Sequence, residues 1–193
     1  MSPAQDPMDI KISPHNHRHR KHLEYAAWFF SLALMGIRMS NKLTIRIRTK
    51  DLLSDTTTSV RVGECSIDAY GCEPQRDFVI TLERTLGIGR MIGTLAHEMV
   101  HVQQKVRNRL QVREDPNNEH ISMNRWKGSI FHTDHRQSEA EMPWELEAAA
   151  LAEKLLDKYV LFLETCVEKD NFMHPLDFME DNPVTVTPAH AFS

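Results

Sequence analysis

The alternation of apolar and polar positions divides the chain into short elements. Leu23 to Ile37 (LEYAAWFFSLALMGI) is a nearly continuous apolar run and reads as a buried helix packed on a sheet. Leu43–Thr49 alternates apolar and polar residues with period two, as a half-buried strand does. Ser59–Val62 repeats that alternation, Ser66–Tyr70 continues or pairs with it, and Asp77–Leu82 is the next strand. Gly87-Ile88-Gly89 interrupts the chain before a helix expected from Arg90 to Leu110. Residues 111–121 (QVREDPNNEHI) read as a polar loop, Asn124–Phe131 as a short strand, and the stretch to Glu141 as a second polar segment. Pro143 opens the last helix, which runs to Cys166; proline is favoured in a first helical turn. The pattern gives three regions. Residues 1–22 are a polar, basic, histidine-rich arm, residues 23–168 a folded domain, and residues 169–193, with Pro175, Pro183 and Pro188, an irregular tail.

Length and charge narrow the classes. A chain of 193 residues is one domain with extensions. A net charge of −4 gives no general attraction to nucleic acid or to an anionic membrane. The apolar run at 23–37 falls short of the ~20 residues a spanning helix needs, so no membrane span is expected. No small-residue cleavage site follows Gly36, so the cytoplasm is the expected location, with export or virion association as alternatives. Cys65, Cys72 and Cys166 are too few for a disulfide framework and match no zinc ribbon; a Cys65–Cys72 pair would need an oxidising compartment. His15, His17, His19 and His22 alternate with Arg18, Arg20 and Lys21, and read as the solvated start of a helix rather than a metal site.

The candidate chemistry lies in Thr94–Gln104 (TLAHEMVHVQQ), which contains H-E-x-x-H. Positions four apart share a helix face, so His97 and His101 can direct both imidazoles at one zinc ion. Glu98 is then placed to take a proton from a water as it attacks a carbonyl. Catalytic zinc takes three protein ligands, so one more is needed. The extension H-x-x-G-x-x-H fails, because Gln104 and Arg107 occupy its last two positions. Glu141, Glu145 and Glu147 on the last helix are the carboxylate candidates. Glu145 shares its face with Ala148, Ala149, Ala152, Leu155, Leu156 and Tyr159, the apolar stripe, and a carboxylate there is costly unless paired or bound to metal. Glu145 is therefore the expected ligand. Glu147 aligns with Lys154 and Lys158, leans towards solvent, and is the second choice. His120 and His132 are rival ligands. His132, His135, Arg136 and Tyr159 are candidates for steadying the transition-state oxyanion.

Three blocks occur in order: Thr94–His101, then Arg125-Trp126-Lys127-Gly128, then Pro143-Trp144-Glu145-Leu146-Glu147-Ala148. Together they resemble the small SprT-like or gluzincin-type metallopeptidases common in bacteriophage genomes, over roughly residues 43–160. The resemblance implies an α+β, minimal zincin-like fold: a small mixed or antiparallel sheet flanked by an N-terminal helix, the H-E-x-x-H helix and a glutamate-ligand helix. It also implies that the strand around Trp126, Lys127 and Gly128 is an edge beside the cleft, where an extended substrate adds by backbone hydrogen bonds. The chain departs from the gluzincin pattern at Ala149, where relatives carry Asp or Asn to support a ligating histidine, so that support must come from elsewhere. SprT proteins proper use a histidine as third ligand, which keeps His120 and His132 open. With no basic DNA-binding tail or zinc ribbon in the sequence, a DNA-repair role does not carry over.

The expected function is a peptidase dependent on one zinc ion, with peptide or protein as substrate. A non-catalytic scaffold with a structural, host-interaction or virion role is the alternative from another class, and a DNA-associated SprT-like protease is a further one.

Overall fold

The computed structural model describes residues 9–12, 17–52, 62–67, 76–115, 118–134, 140–168 and 175. The described chain is α+β, with four helices and two small sheets. The first sheet is mixed, in the order β1-β2-β4-β3, from β1 (Asp9–Ile12), β2 (Thr44–Lys50), β3 (Gly63–Ile67) and β4 (Asp77–Glu83). The β1–β2 and β2–β4 pairs are parallel, and β3 lies antiparallel to β4 at one edge. The second sheet is antiparallel, β5 (Leu110–Asp115), β6 (Asn118–Trp126) and β7 (Ser129–Asp134), in chain order.

Period-two alternation sets β2, which buries Ile45 and Ile47 and exposes Arg46 and Arg48. Ile45, Ile47, Phe78, Ile80 and Leu82 meet one core built with α1 (His17–Met35) and α3 (Ile88–Val106). The apolar residues of α1 recur at helical spacing (Leu23, Ala26, Ala27, Phe30, Leu34), and all are buried. The later turns of α4 (Pro143–Glu168) pack Tyr159 and Phe162 on Phe29 of α1, at centroid distances of 5.2 and 5.0 Å. The short helix α2 (Ile37–Ser40) turns the chain into β2. Near the C-terminus of α3, Gln103 Nε2 and Arg107 donate to the Leu34 carbonyl at 2.7 and 2.9 Å, which fixes α3 against the end of α1. The α3 axis is thereby locked.

The structure departs from the sequence reading in four places. Residues 9–12 are a sheet strand rather than arm, and α1 begins at His17, inside the expected arm. The H-E-x-x-H helix stops at Val106 rather than Leu110, because Asn108 takes a left-handed conformation (φ 55°) that ends it. The polar stretch 111–121 is β5 and the start of β6, and the segment to 134 is β7. Here three of the buried positions are polar (Ser122, Asn124, Thr133) beside Leu110 and Trp126, while Val112 and Ile130 are exposed, so burial does not follow the apolar pattern. Asn124–Phe131 is a hairpin, with Lys127-Gly128 as its two-residue turn (φ 47° and 98°). The expected strand at 59–62 and the possible partner Cys72 lie largely outside the described residues; Cys65 and Cys166 are free thiols. Among the described residues no helix is long and apolar enough to cross a membrane.

Candidate metal centre

Two helices build the site. His97 and His101 sit one turn apart on α3, and Glu145 lies in the first turn of α4, which crosses beside them. His97 Nε2 is 3.1 Å from His101 Nε2 and 3.1 Å from Glu145 Oε2; His101 Nε2 is 3.3 Å from Glu145 Oε1. His97, His101 and Glu145 can hold a metal ion, and they are the one such group among the described residues.

The hydrogen bonds around His101 show why a cation fits. Gln104 Nε2 donates to the Trp144 carbonyl at 3.0 Å and to Glu147 Oε2 at 3.1 Å, which fixes the orientation of its amide. Its oxygen therefore faces His101 Nδ1 at 2.8 Å as an acceptor, and Nδ1 carries a proton. In neutral His101 the other nitrogen, Nε2, is then bare. A bare nitrogen facing a carboxylate oxygen at 3.3 Å sets lone pair against lone pair. Positive charge relieves that contact, either as a proton on Nε2 or as a bound cation; an Nε2–H on neutral His97 reaches His101 Nε2 or Glu145 Oε2, both at 3.1 Å, but leaves the His101–Glu145 contact as it is. Donors of a tetrahedral zinc at ~2.0–2.1 Å stand roughly 3.3 Å from one another, close to the separations found here.

The ionisation behaviour follows the same contacts. Burial opposes charge on His101, but the hydrogen bond and charge of Glu145 outweigh it and raise its pKa. Burial acts upward on Glu145 too, yet the hydrogen bonds from His101 and His97 pull its pKa down to about 2. Glu98 is buried at 6% exposure, and that burial raises its pKa against the pull of His101 and His97. Its carboxylate lies against β3. A Cβ at Gly63 would stand 2.6 Å from Glu98 Oε1 and 2.4 Å from Thr94 Cγ2, so only glycine lets the strand pass this close.

The remaining sequence candidates are dispersed. Glu147 is not among the converging donors: its side chain is 14% exposed and accepts from Arg109, Lys127 and Gln104. Glu141 is exposed. His132 is exposed on β7, on the side opposite buried Thr133; the His120 side chain, His135 and Arg136 lie outside the described residues. Tyr159 is buried in the aromatic cluster, about 21 Å along α4 from Glu145 at 1.5 Å per residue, too far to touch the site. Trp126 is not on an edge. It ends β6, the middle strand of the second sheet, and is buried with Leu110 and Trp144 under the Arg109 and Lys127 side chains. Lys127 and Gly128 form the turn beside it. The strand edge at the site belongs to β3.

Sequence reasoning missed Gln104, Arg109 and Gly63. Gln104 had a local signal, since a residue three after His101 shares its helix face. Arg109 and Gly63 reach the site only through tertiary packing. Comparison of the chain with protein-family models, curated proteins and solved structures finds no match in any of the three.

Proposed function

We propose that this chain is a zinc-dependent metallopeptidase in which His97, His101 and Glu145 are the ligands and Glu98 is the general base. The observation that supports it is a buried carboxylate, Glu98, next to a three-donor cluster whose His101–Glu145 contact a bound cation would relieve. Zinc held there would supply Lewis acidity and lower the pKa of a water in the site. Glu98 has a raised pKa and so accepts a proton more readily near neutrality than an ordinary carboxylate. It removes the proton from the attacking water and passes it to the amine as the amide C–N bond breaks. No covalent enzyme intermediate is required. Gly63 keeps β3 close enough to hold the Glu98 carboxylate in place. β3 is also the sheet edge against α3, and an extended peptide could add to it by backbone hydrogen bonds.

The test compares wild type with Glu98→Gln for zinc content and for cleavage of a degenerate peptide library followed by mass spectrometry. The proposal expects near-stoichiometric zinc in both proteins and cleavage only by wild type. Failure to take up zinc on reconstitution, or cleavage that survives Glu98→Gln, would sink it. Zinc in both without cleavage in either would retain the metal centre and remove the peptidase activity.

A further inference from the structure

We infer that Glu147 is a positioning residue for the metal centre, acting on His101 through Gln104; this rests on the metallopeptidase reading above. The Glu147 carboxylate has acceptors only. Oε2 meets Gln104 at 3.1 Å, so it is the amide nitrogen of Gln104, never the oxygen, that can face it. The Trp144 carbonyl makes the same demand from the other side, at 3.0 Å. The amide oxygen is thereby committed to His101 Nδ1, and His101 Nε2 is presented bare to the site. Glu147, together with the Trp144 carbonyl, thus sets which nitrogen of a ligand it never touches is free to bind metal.

Glu147 is itself held from the second sheet. Its Oε1 accepts from Arg109, just before β5, and from Lys127 in the β6–β7 turn at 3.2 Å. Both cations also lie against the Trp126 ring, at 5.1 and 4.8 Å from its centroid. A glutamine at 147 cannot satisfy both sides. Its oxygen can serve Arg109 and Lys127 or Gln104, and the N–H2 then meets a donor on the other side. This is the histidine support that the absence of Asp or Asn at Ala149 left unassigned, reached from a different position.

Two readouts test the relay. Nitrogen-15 NMR of metal-free protein, at a pH above the titration of His101, reports which imidazole nitrogen carries the proton; zinc affinity is measured by chelator competition. Wild type should show His101 protonated on Nδ1. Glu147→Gln should shift His101 to a mixture of tautomers and weaken zinc binding about 10- to 100-fold, the range for such outer supports. If Glu147→Gln does not fold, Gln104→Leu removes the acceptor facing His101 Nδ1 outright and should shift the tautomer at least as far. A wild-type His101 protonated on Nε2, or single variants with unchanged tautomer and affinity, overturns the relay. Should wild type bind no zinc, the metallopeptidase reading fails, while the tautomer measurement still decides the relay.

Discussion

Replacing Glu145 by glutamine in metal-free protein should change stability in opposite senses below and above the titration of His101. Glu145 has a depressed pKa, so the stability it contributes is present above the unfolded value of 4.5 and is lost as pH falls towards about 2. His101 has a raised pKa, so its contribution is full below an unfolded value of 6.5 and is lost as pH rises through the folded value. The two windows overlap between 4.5 and 6.5, where the carboxylate faces an imidazolium. The Glu145 displacement, from 4.5 to about 2, corresponds to about 3 kcal/mol at ~1.36 kcal/mol per pH unit. Its side chain is 22% exposed, and solvent screening leaves about 2 kcal/mol. At pH 5.5 the variant should therefore melt roughly 4–8 °C lower, at ~2–4 °C per kcal/mol for a chain of this size. Once pH has risen through the folded-state titration of His101, the carboxylate faces a bare nitrogen. An amide N–H can donate to it there, and the variant should be neutral or up to ~1 kcal/mol more stable. Thermal and urea melts in the presence of chelator, at both pH values, provide the comparison. An equal destabilisation at pH 5.5 and at a pH above the titration of His101 would refute the lone-pair argument on which the metal centre rests.

Gly63→Ala should retain zinc but displace the Glu98 carboxylate and lower kcat by about 10²-fold, at the lower end of what a general base contributes; zinc content and peptide turnover measured together check it. Loss of metal together with activity would show that β3 supports the ligands rather than the base. Adding zinc to ~100 times its dissociation constant should stabilise the protein by about 2.7 kcal/mol, reversed by chelator and absent in Glu145→Ala. Phe162→Ala removes a fully buried ring that touches Tyr25, Phe29 and Tyr159, and should cost about 3–5 kcal/mol in urea unfolding while leaving the ligand geometry intact. A cost under 1 kcal/mol would show that the α1–α4 contact is not part of the cooperative core.

What the sequence revealed of the site was what helix periodicity alone determines. The pairing of His97 with His101 is a local consequence of their spacing, and Glu145 was legible because the apolar stripe of its helix continues through Ala152 and Leu155, both buried. Glu147 was misleading on the same grounds. Its own helix points it towards Lys154 and Lys158, but Arg109 and Lys127, from the second sheet, cover it. That sheet was the least legible part of the fold, since only a few of its inward positions are apolar. Strand β1 was hidden for another reason. Four residues carry too little pattern to distinguish a strand from an arm, and only its parallel pairing with β2 identifies it.

His97 and Glu145 are 48 residues apart in the chain, and the whole β5–β7 sheet is made between them. At about 5–20 residues per second, a ribosome releases Glu145 roughly 2–10 s after His97. During that interval the nascent chain has two histidines on an emerging helix and nothing to complete a metal cage. Glu147, which orients His101, arrives later still. The order of synthesis thus keeps the three donors apart until β5–β7 has been made, with most of α4 still to follow.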